Sequence, residues 1–215
     1  MPIFSYESKF SQALLKLCNA CYLNILWFLC SLPLFTAGAA TAALYYTTLK
    51  MVQGDDSSVT KLFFRGFRQN FRQATVLWLI LLAAGILLAG DLYILHHLRL
   101  TTTGISAVMW TLLFALVIAA SIVYVIVLMY VFPLTASVTN TNWAMLKNSF
   151  FIGTHYLFCS ILVFAIHLAM FYIVVNLFTP AIIFGNGLCA LLSSYLLNNV
   201  IRACSYDPAA EEAAQ

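Results

Sequence analysis

Long apolar stretches alternate along this chain with short polar ones. Ala74–Gly90, Ile105–Leu134 and Phe150–Val175 are predominantly apolar from end to end. A helix of about 20 apolar residues crosses the roughly 30 Å hydrocarbon layer of a bilayer. The pattern predicts an all-α, polytopic transmembrane bundle of about six crossings, with little chain left over for anything else.

Residues 2–16 read as an interfacial helix. Phe4, Phe10, Leu14 and Leu17 can share an apolar side, with Lys9 and Lys16 towards water. The first crossing falls at about Leu17–Leu34. A cleavable signal peptide is the rival, since Ala37-Gly38-Ala39 resembles a cleavage site, but the apolar run is long for one and Glu7 interrupts the basic start. Pro33 breaks this helix. The next segment, about Thr36–Met51, is short and carries small residues four apart, Gly38 with Ala42 and Ala39 with Ala43, which let a neighbouring helix come close. It either spans with Lys50 snorkelling at one end, or forms a re-entrant hairpin enclosed by protein.

A polar turn at Gln53–Ser58 leads into a helix to about Gln73, with Ser58 at its N-cap and Asp55 and Asp56 near its positive end. Lys61, Arg65, Arg68 and Arg72 recur at helical spacing, with Phe63, Phe64, Phe67 and Phe71 on an adjoining face. This predicts a basic amphipathic helix in the inner membrane surface, binding lipids or docking a partner. Four crossings follow, at about Ala74–Leu95, Ile105–Leu134, Ile152–Phe178 and Ala181–Ile201, joined by loops His96–Gly104 and Asn140–Ser149. The expected organisation is one membrane domain: interfacial helix 1–16, a hairpin over 17–51 broken at Pro33, the basic helix 57–73, four transmembrane helices within 74–201, and a polar tail 202–215.

Composition agrees with this pattern. Only 8 % of residues are charged and 63 % are hydrophobic, with mean hydropathy +0.96, whereas a soluble domain carries about a quarter charged residues. With the basic window inside, alternation also places Lys9, Lys147 and Arg202 inside and leaves only His96, His97 and Arg99 outside, so both termini are expected in the cytoplasm. Cys18 and Cys21 form a C-x-x-C, but at the start of an apolar helix, where cysteines serve as small fillers. Pro33-Leu34 and Pro133-Leu134 hint at an internal repeat of the kind transporter folds use.

Candidate chemistry is sparse. Asp91 lies about 25 Å along its helix and His167 about 22 Å along its own at 1.5 Å per residue, so a contact between them is geometrically possible. An intramembrane ionisable residue is a functional candidate. Asn24, Asn176, Asn186, Asn198 and Asn199 can tie helices together or line a solute path. The four tryptophans and many tyrosines fit interfacial belts. No Walker motif, HExxH or GxSxG is present, and the basic residues are too few and too scattered for a specific nucleic-acid reader. No catalytic, cofactor or metal site is expected.

Asn24-Ile25-Leu26-Trp27, Ser31-Leu32-Pro33 and Thr36–Tyr46 resemble the opening of the YesL-like family of small bacterial membrane proteins of unknown function, mostly Gram-positive. Lys61, Phe63-Phe64, Phe67 and Asn70-Phe71 continue the likeness. The resemblance implies a genomic neighbourhood with carbohydrate-uptake ABC transporters and their sensor kinases, and hence ABC transporter subunits or a membrane sensor kinase as partners, with no catalytic residue. The expected function is a non-catalytic accessory protein linked to carbohydrate uptake. A small-solute transporter or channel using Asn24, Asp91 and His167 is the alternative.

Overall fold

A computed structural model describes residues 9–205 except Asp56 and Phe178. Every regular element among them is helical: α1 (Lys9–Ser31), α2 (Ala37–Val52), α3 (Val59–Thr101), α4 (Ile105–Ser137), α5 (Asn142–His155), α6 (Leu157–Tyr172) and α7 (Ile182–Ser205). Four helical segments are long and apolar enough to cross a membrane: Leu14–Ser31, Val59–Thr101, Ile105–Ser137 and Leu157–Leu177. The protein is thus an all-helical bundle with the makings of a membrane protein.

α1 runs unbroken from Lys9, so residues 9–16 of the expected interfacial helix belong to the same helix as the first apolar run; residues 1–8 lie outside the described part. Pro33 ends it as expected. The Thr36 hydroxyl donates to the carbonyls of Cys30 at 2.6 Å and Pro33 at 2.7 Å, satisfying acceptors that the break leaves free. α2 then turns back antiparallel to α1, with Trp27 Nε1 donating to Thr41 Oγ1 at 3.0 Å.

α2 is the centre of the bundle. It is buried almost continuously from Gly38 to Met51 and packs against α1, α3, α4 and α7. Its alanines make this possible, because short side chains let four neighbours approach one axis. Its polar groups are satisfied inside: Thr47 bonds the Ala43 carbonyl at 2.8 Å, and Thr48 meets Ser194 of α7 at 2.7 Å. A membrane interior tolerates such hydroxyls because they return to carbonyls one turn back.

α3 differs from expectation. The basic segment and the apolar segment after it form one helix of 43 residues, about 64 Å long at 1.5 Å per residue. Nothing in Gln69–Thr75 breaks a helix, so the change from polar to apolar surroundings leaves the backbone unaltered. Its register with α2 is also unexpected. Gly38, at the start of α2, lies against Ala74 and Trp78, and Tyr46 lies over Gly66. The short helix therefore packs beside the basic half of α3. Beyond Leu81 no residue of α3 is buried, and α4 is buried only over Tyr130–Thr135. The remaining lengths pair as an antiparallel hairpin, held by Tyr124 Oη donating to the Leu81 carbonyl at 3.0 Å and by the Arg99 guanidinium 4.2 Å from the Phe114 ring centroid.

Pro133 lies inside α4 and does not end it, so the two Pro-Leu pairs, one at a break and one within a buried helix, do not mark equivalent positions. The expected loop Asn140–Ser149 is largely α5, begun by Thr141 Oγ1 accepting from the Ala144 N–H at 3.4 Å. The expected crossing Ile152–Phe178 is interrupted at Tyr156, where φ −102° and ψ 51° leave the helix. Ser160 repairs the break: its hydroxyl donates to the Gly153 carbonyl at 2.7 Å and meets Tyr130 Oη at 2.9 Å. α7 returns antiparallel to α1, close enough that a methyl on Gly187 would overlap the Ala20 carbonyl.

Candidate functional site

α1, α6 and α7, with Trp78 of α3, line a half-open groove of about 1010 Å³. Its walls are mainly apolar, with Phe28, Leu32, Met170 and Phe171 prominent, and among the described residues no Asp, Glu, Lys or Arg lines it. Four polar side chains do: Asn24, Ser31, His167 and Asn186. Buried Asn24 uses its Oδ1 to accept from the Gly187 N–H at 3.0 Å, which ties α1 to α7. His167 Nδ1 lies 2.8 Å from the Val163 carbonyl. A carbonyl only accepts, so Nδ1 is the donor in this contact. The Ser31 hydroxyl oxygen is buried without a hydrogen-bond partner. Trp27 and Trp78 hold their rings at the wall through indole N–H bonds, the latter to the Leu34 carbonyl at 2.9 Å.

Of the polar intramembrane candidates, Asn24 and His167 thus meet at one groove. Asp91 does not: it is exposed on the projecting part of α3 and absent from the groove wall. Equal height along two helices did not bring the helices together there. Ser31 was missed, although Asn24, Trp27 and Ser31 recur at the three-to-four spacing of one helix face.

Lys61, Arg65, Arg68 and Arg72 are all exposed on the first half of α3, and none forms an ion pair with a described residue. The phenylalanines beside them behave differently from one another. Phe63 is fully buried and stacks on Phe67 at 6.3 Å between centroids, Phe67 and Phe71 pack against the core, and Phe64 is exposed. Most of this aromatic face therefore holds α3 to the bundle. Before the stripe, the Ser57 side chain and N–H hold the Asp55 carboxyl below its usual range, helped by Lys50 and Arg65.

Gly38 and Ala42 sit where helix packing requires small residues. Ala42 is wholly buried, and a methyl added to Gly38 would collide with the Trp78 Cβ and the Ala74 carbonyl.

Residues 20–92, which hold Asn24, α2 and the basic stripe, match the family described as "Protein of unknown function, DUF624". The chain is 29 % identical over 136 residues to the uncharacterized protein YesL of Bacillus subtilis (strain 168), covering 61 % of this chain and 60 % of YesL. It is 28 % identical over 167 residues to the uncharacterized protein YteU of the same strain, covering 73 % of this chain and 68 % of YteU. The chain is thus similar to YesL and YteU, and its residues 20–92 to the family model. No solved structure matches it. The YesL-like match coincides with the part of the bundle where α1, α2 and the first half of α3 pack together.

Proposed function

We propose that this chain is a non-catalytic accessory subunit of the cell membrane, with both termini cytoplasmic, that docks an acidic protein partner through the basic stripe of α3. The observation that carries the proposal is a mismatch of length. Exposed apolar side chains accompany α3 along most of its roughly 64 Å: on α1 beside its first half, and on α3 and α4 themselves in its second half. A bilayer covers about 30 Å of this. To fit within it, α3 would have to lean about 60° from the membrane normal, beyond the usual range of about 0–40°.

The basic stripe favours the second half of α3 as the part that meets lipid. Four basic side chains held in hydrocarbon cost roughly 10–14 kcal/mol together, at about 2.5–3.5 kcal/mol each. The bilayer therefore takes the apolar run between Arg72 and Arg99, and the stripe lies at the cytoplasmic side. The α1–α2 turn, level with Trp78, then reaches only the inner part of the membrane. Residues 36–51 become a re-entrant segment enclosed by α1, α3, α4 and α7 in place of a full crossing, which lowers the count of six. The apolar side of α1 and the charged side of α3 are left beside one another at the inner surface, a combination a partner protein can cover.

The link to carbohydrate uptake, and with it ABC transporter subunits or a membrane sensor kinase as the partner, rests on the family resemblance. A transporter of small hydrophilic solutes fits less well, because a solute in this apolar groove would leave most of its hydroxyls unpaired. Affinity purification of the full chain in mild detergent tests the proposal. A transporter subunit or sensor kinase recovered in stoichiometric amount supports it; a chain that purifies alone from gently solubilised membranes overturns it.

A further inference from the structure

We propose that the basic stripe of α3 is covered, while no partner is docked, by the acidic segment that follows α7, residues 207–212 of the same chain. That the segment competes with a partner rests on the docking proposal; the contact itself does not. Charge is segregated along the chain. Asp207, Glu211 and Glu212 are three of its seven acidic residues, and no Lys, Arg or His follows Arg202. Lys61, Arg65, Arg68 and Arg72 stand three or four residues apart, a spacing at which like charges on a helix repel one another. Among the described residues no carboxylate pairs with them. Asp55 accepts from the Ser57 N–H at 2.9 Å and feels the charge of Arg65 without an ion pair. Asp91 is about 28 Å further along α3 than Arg72, at 1.5 Å per residue.

α7 ends at the end of the bundle where the stripe begins. α2 and α3 run antiparallel and in step, with Gly38 against Ala74 and Tyr46 over Gly66. Gln53 is therefore level with the first turn of α3. Its Nε2 donates to Asn198 Oδ1 at 3.1 Å, which brings α7 to the same level. From Asn198 α7 continues to Ser205, about 10 Å further at 1.5 Å per residue. Residues 206–215 lie outside the described part. The seven residues from Ser205 to Glu212 span up to about 25 Å of extended chain, long enough to turn back to Lys61 and Arg65, the nearest members of the stripe. Exposed ion pairs are individually weak. A tethered segment offsets this with an effective concentration on the order of millimolar.

Cross-linking provides the test. In the full chain without native cysteines, purified in a maltoside detergent, Phe64→Cys and Ala213→Cys are joined by a short bismaleimide. Phe64 is exposed and within about one turn of Lys61, Arg65 and Arg68, and Ala213 follows Glu212. An internal cross-link leaves a monomer of altered gel mobility, and one between copies gives a dimer. The expected product is the monomer, formed at low salt. Its rate should fall about fivefold, the worth of two exposed ion pairs, at high salt, in Asp207→Asn/Glu211→Gln/Glu212→Gln, and in Lys61→Gln/Arg65→Gln. A rate unchanged by salt and by both sets of substitutions would show only collision of a tethered segment and overturn the contact. A dimer as the main product would place the segment on a second copy and overturn the internal occupant. A fluorescent hexaglutamate peptide stands in for the partner. It should bind the chain with the neutralised segment about fivefold more tightly than the wild-type chain, by the same two pairs. Equal affinity for both would overturn the competition while the cross-link stands. Binding to neither would count against the docking proposal, and with it the competition, and leave the contact itself to the cross-link.

Discussion

Gly38 of α2 lies against Trp78 of α3 so closely that a Cβ at position 38 would overlap both the Trp78 Cβ and the Ala74 carbonyl. That contact sets the register of the bundle's two most intimately packed helices. It places the short central helix beside the basic half of α3 and the α1–α2 turn only a little above it.

Packing at this contact is unforgiving. Gly38→Leu, and Ala42→Leu on the wholly buried face of the same helix, are expected to destabilise the protein by about 1–3 kcal/mol or more, the cost of overfilling a close-packed site. Gly90 is exposed, with nothing within 4 Å of an added Cβ. Gly90→Ala should be neutral or stabilise by up to about 1 kcal/mol through helix propensity. Thermal unfolding in detergent checks all three, and equal midpoints for Gly38→Leu and Gly90→Ala would show that the α2–α3 register is wrong.

A second expectation concerns the tie between α1 and α7. Asn24→Leu removes the side-chain oxygen that accepts from the Gly187 N–H at 3.0 Å. A buried donor left unpaired costs about 1–3 kcal/mol. Gly187→Ala should cost at least as much, because its methyl would meet the Ala20 carbonyl. Asp91→Asn, by contrast, should leave stability within about 0.5 kcal/mol, as for a surface change away from any partner. A large loss at Asp91 would restore the contact with His167 that the fold does not make.

Topology separates two layouts that share the same termini. In a background without native cysteines, single cysteines at Leu34, Gln53 and Thr102 are treated with a membrane-impermeant maleimide on intact cells. Thr102→Cys should react from outside. Gln53→Cys should react only after the cells are opened. Leu34→Cys should stay protected from outside, because its turn is level with Trp78, about 34 Å along α3 from Thr101 at 1.5 Å per residue. Labelling of Leu34→Cys as fast as Thr102→Cys would instead establish a full crossing by residues 36–51.

Much of this arrangement was legible in the sequence, and the failures have physical causes. Pro33 announced the end of α1, the small residues from Gly38 to Ala43 announced a helix that others crowd around, and the spacing of Lys61 to Arg72 announced one exposed face. Each is a local property carried by a few adjacent residues. The continuity of α3 was hidden because a change in polarity at Gln73 looks like a boundary, yet no helix-breaking residue stands there. The interruption at Tyr156 is supported by contacts from Gly153, Ser160 and Tyr130, the last of which lies 30 residues from Ser160. The groove likewise joins residues far apart in sequence, and only the antiparallel pairing of α1 with α7 brings Asn24 to Gly187. Hydropathy locates apolar helices but says nothing about which lengths of two helices lie side by side.

On the proposed function, the exposed basic stripe of α3 docks a partner. The direct measurement is quantitative recovery of the co-purifying transporter subunit or sensor kinase with the wild-type chain and with Arg65→Gln/Arg68→Gln, each at low and high salt. Both arginines are exposed and form no ion pair with a described residue, so the double change should leave insertion and yield intact. The wild-type chain should retain its partner at low salt and lose most of it as salt screens the charges, and the double variant should lose it at both. The same partner recovered at the same level from both chains at both salt concentrations would contradict the claim and leave the stripe as an anchor to anionic lipid.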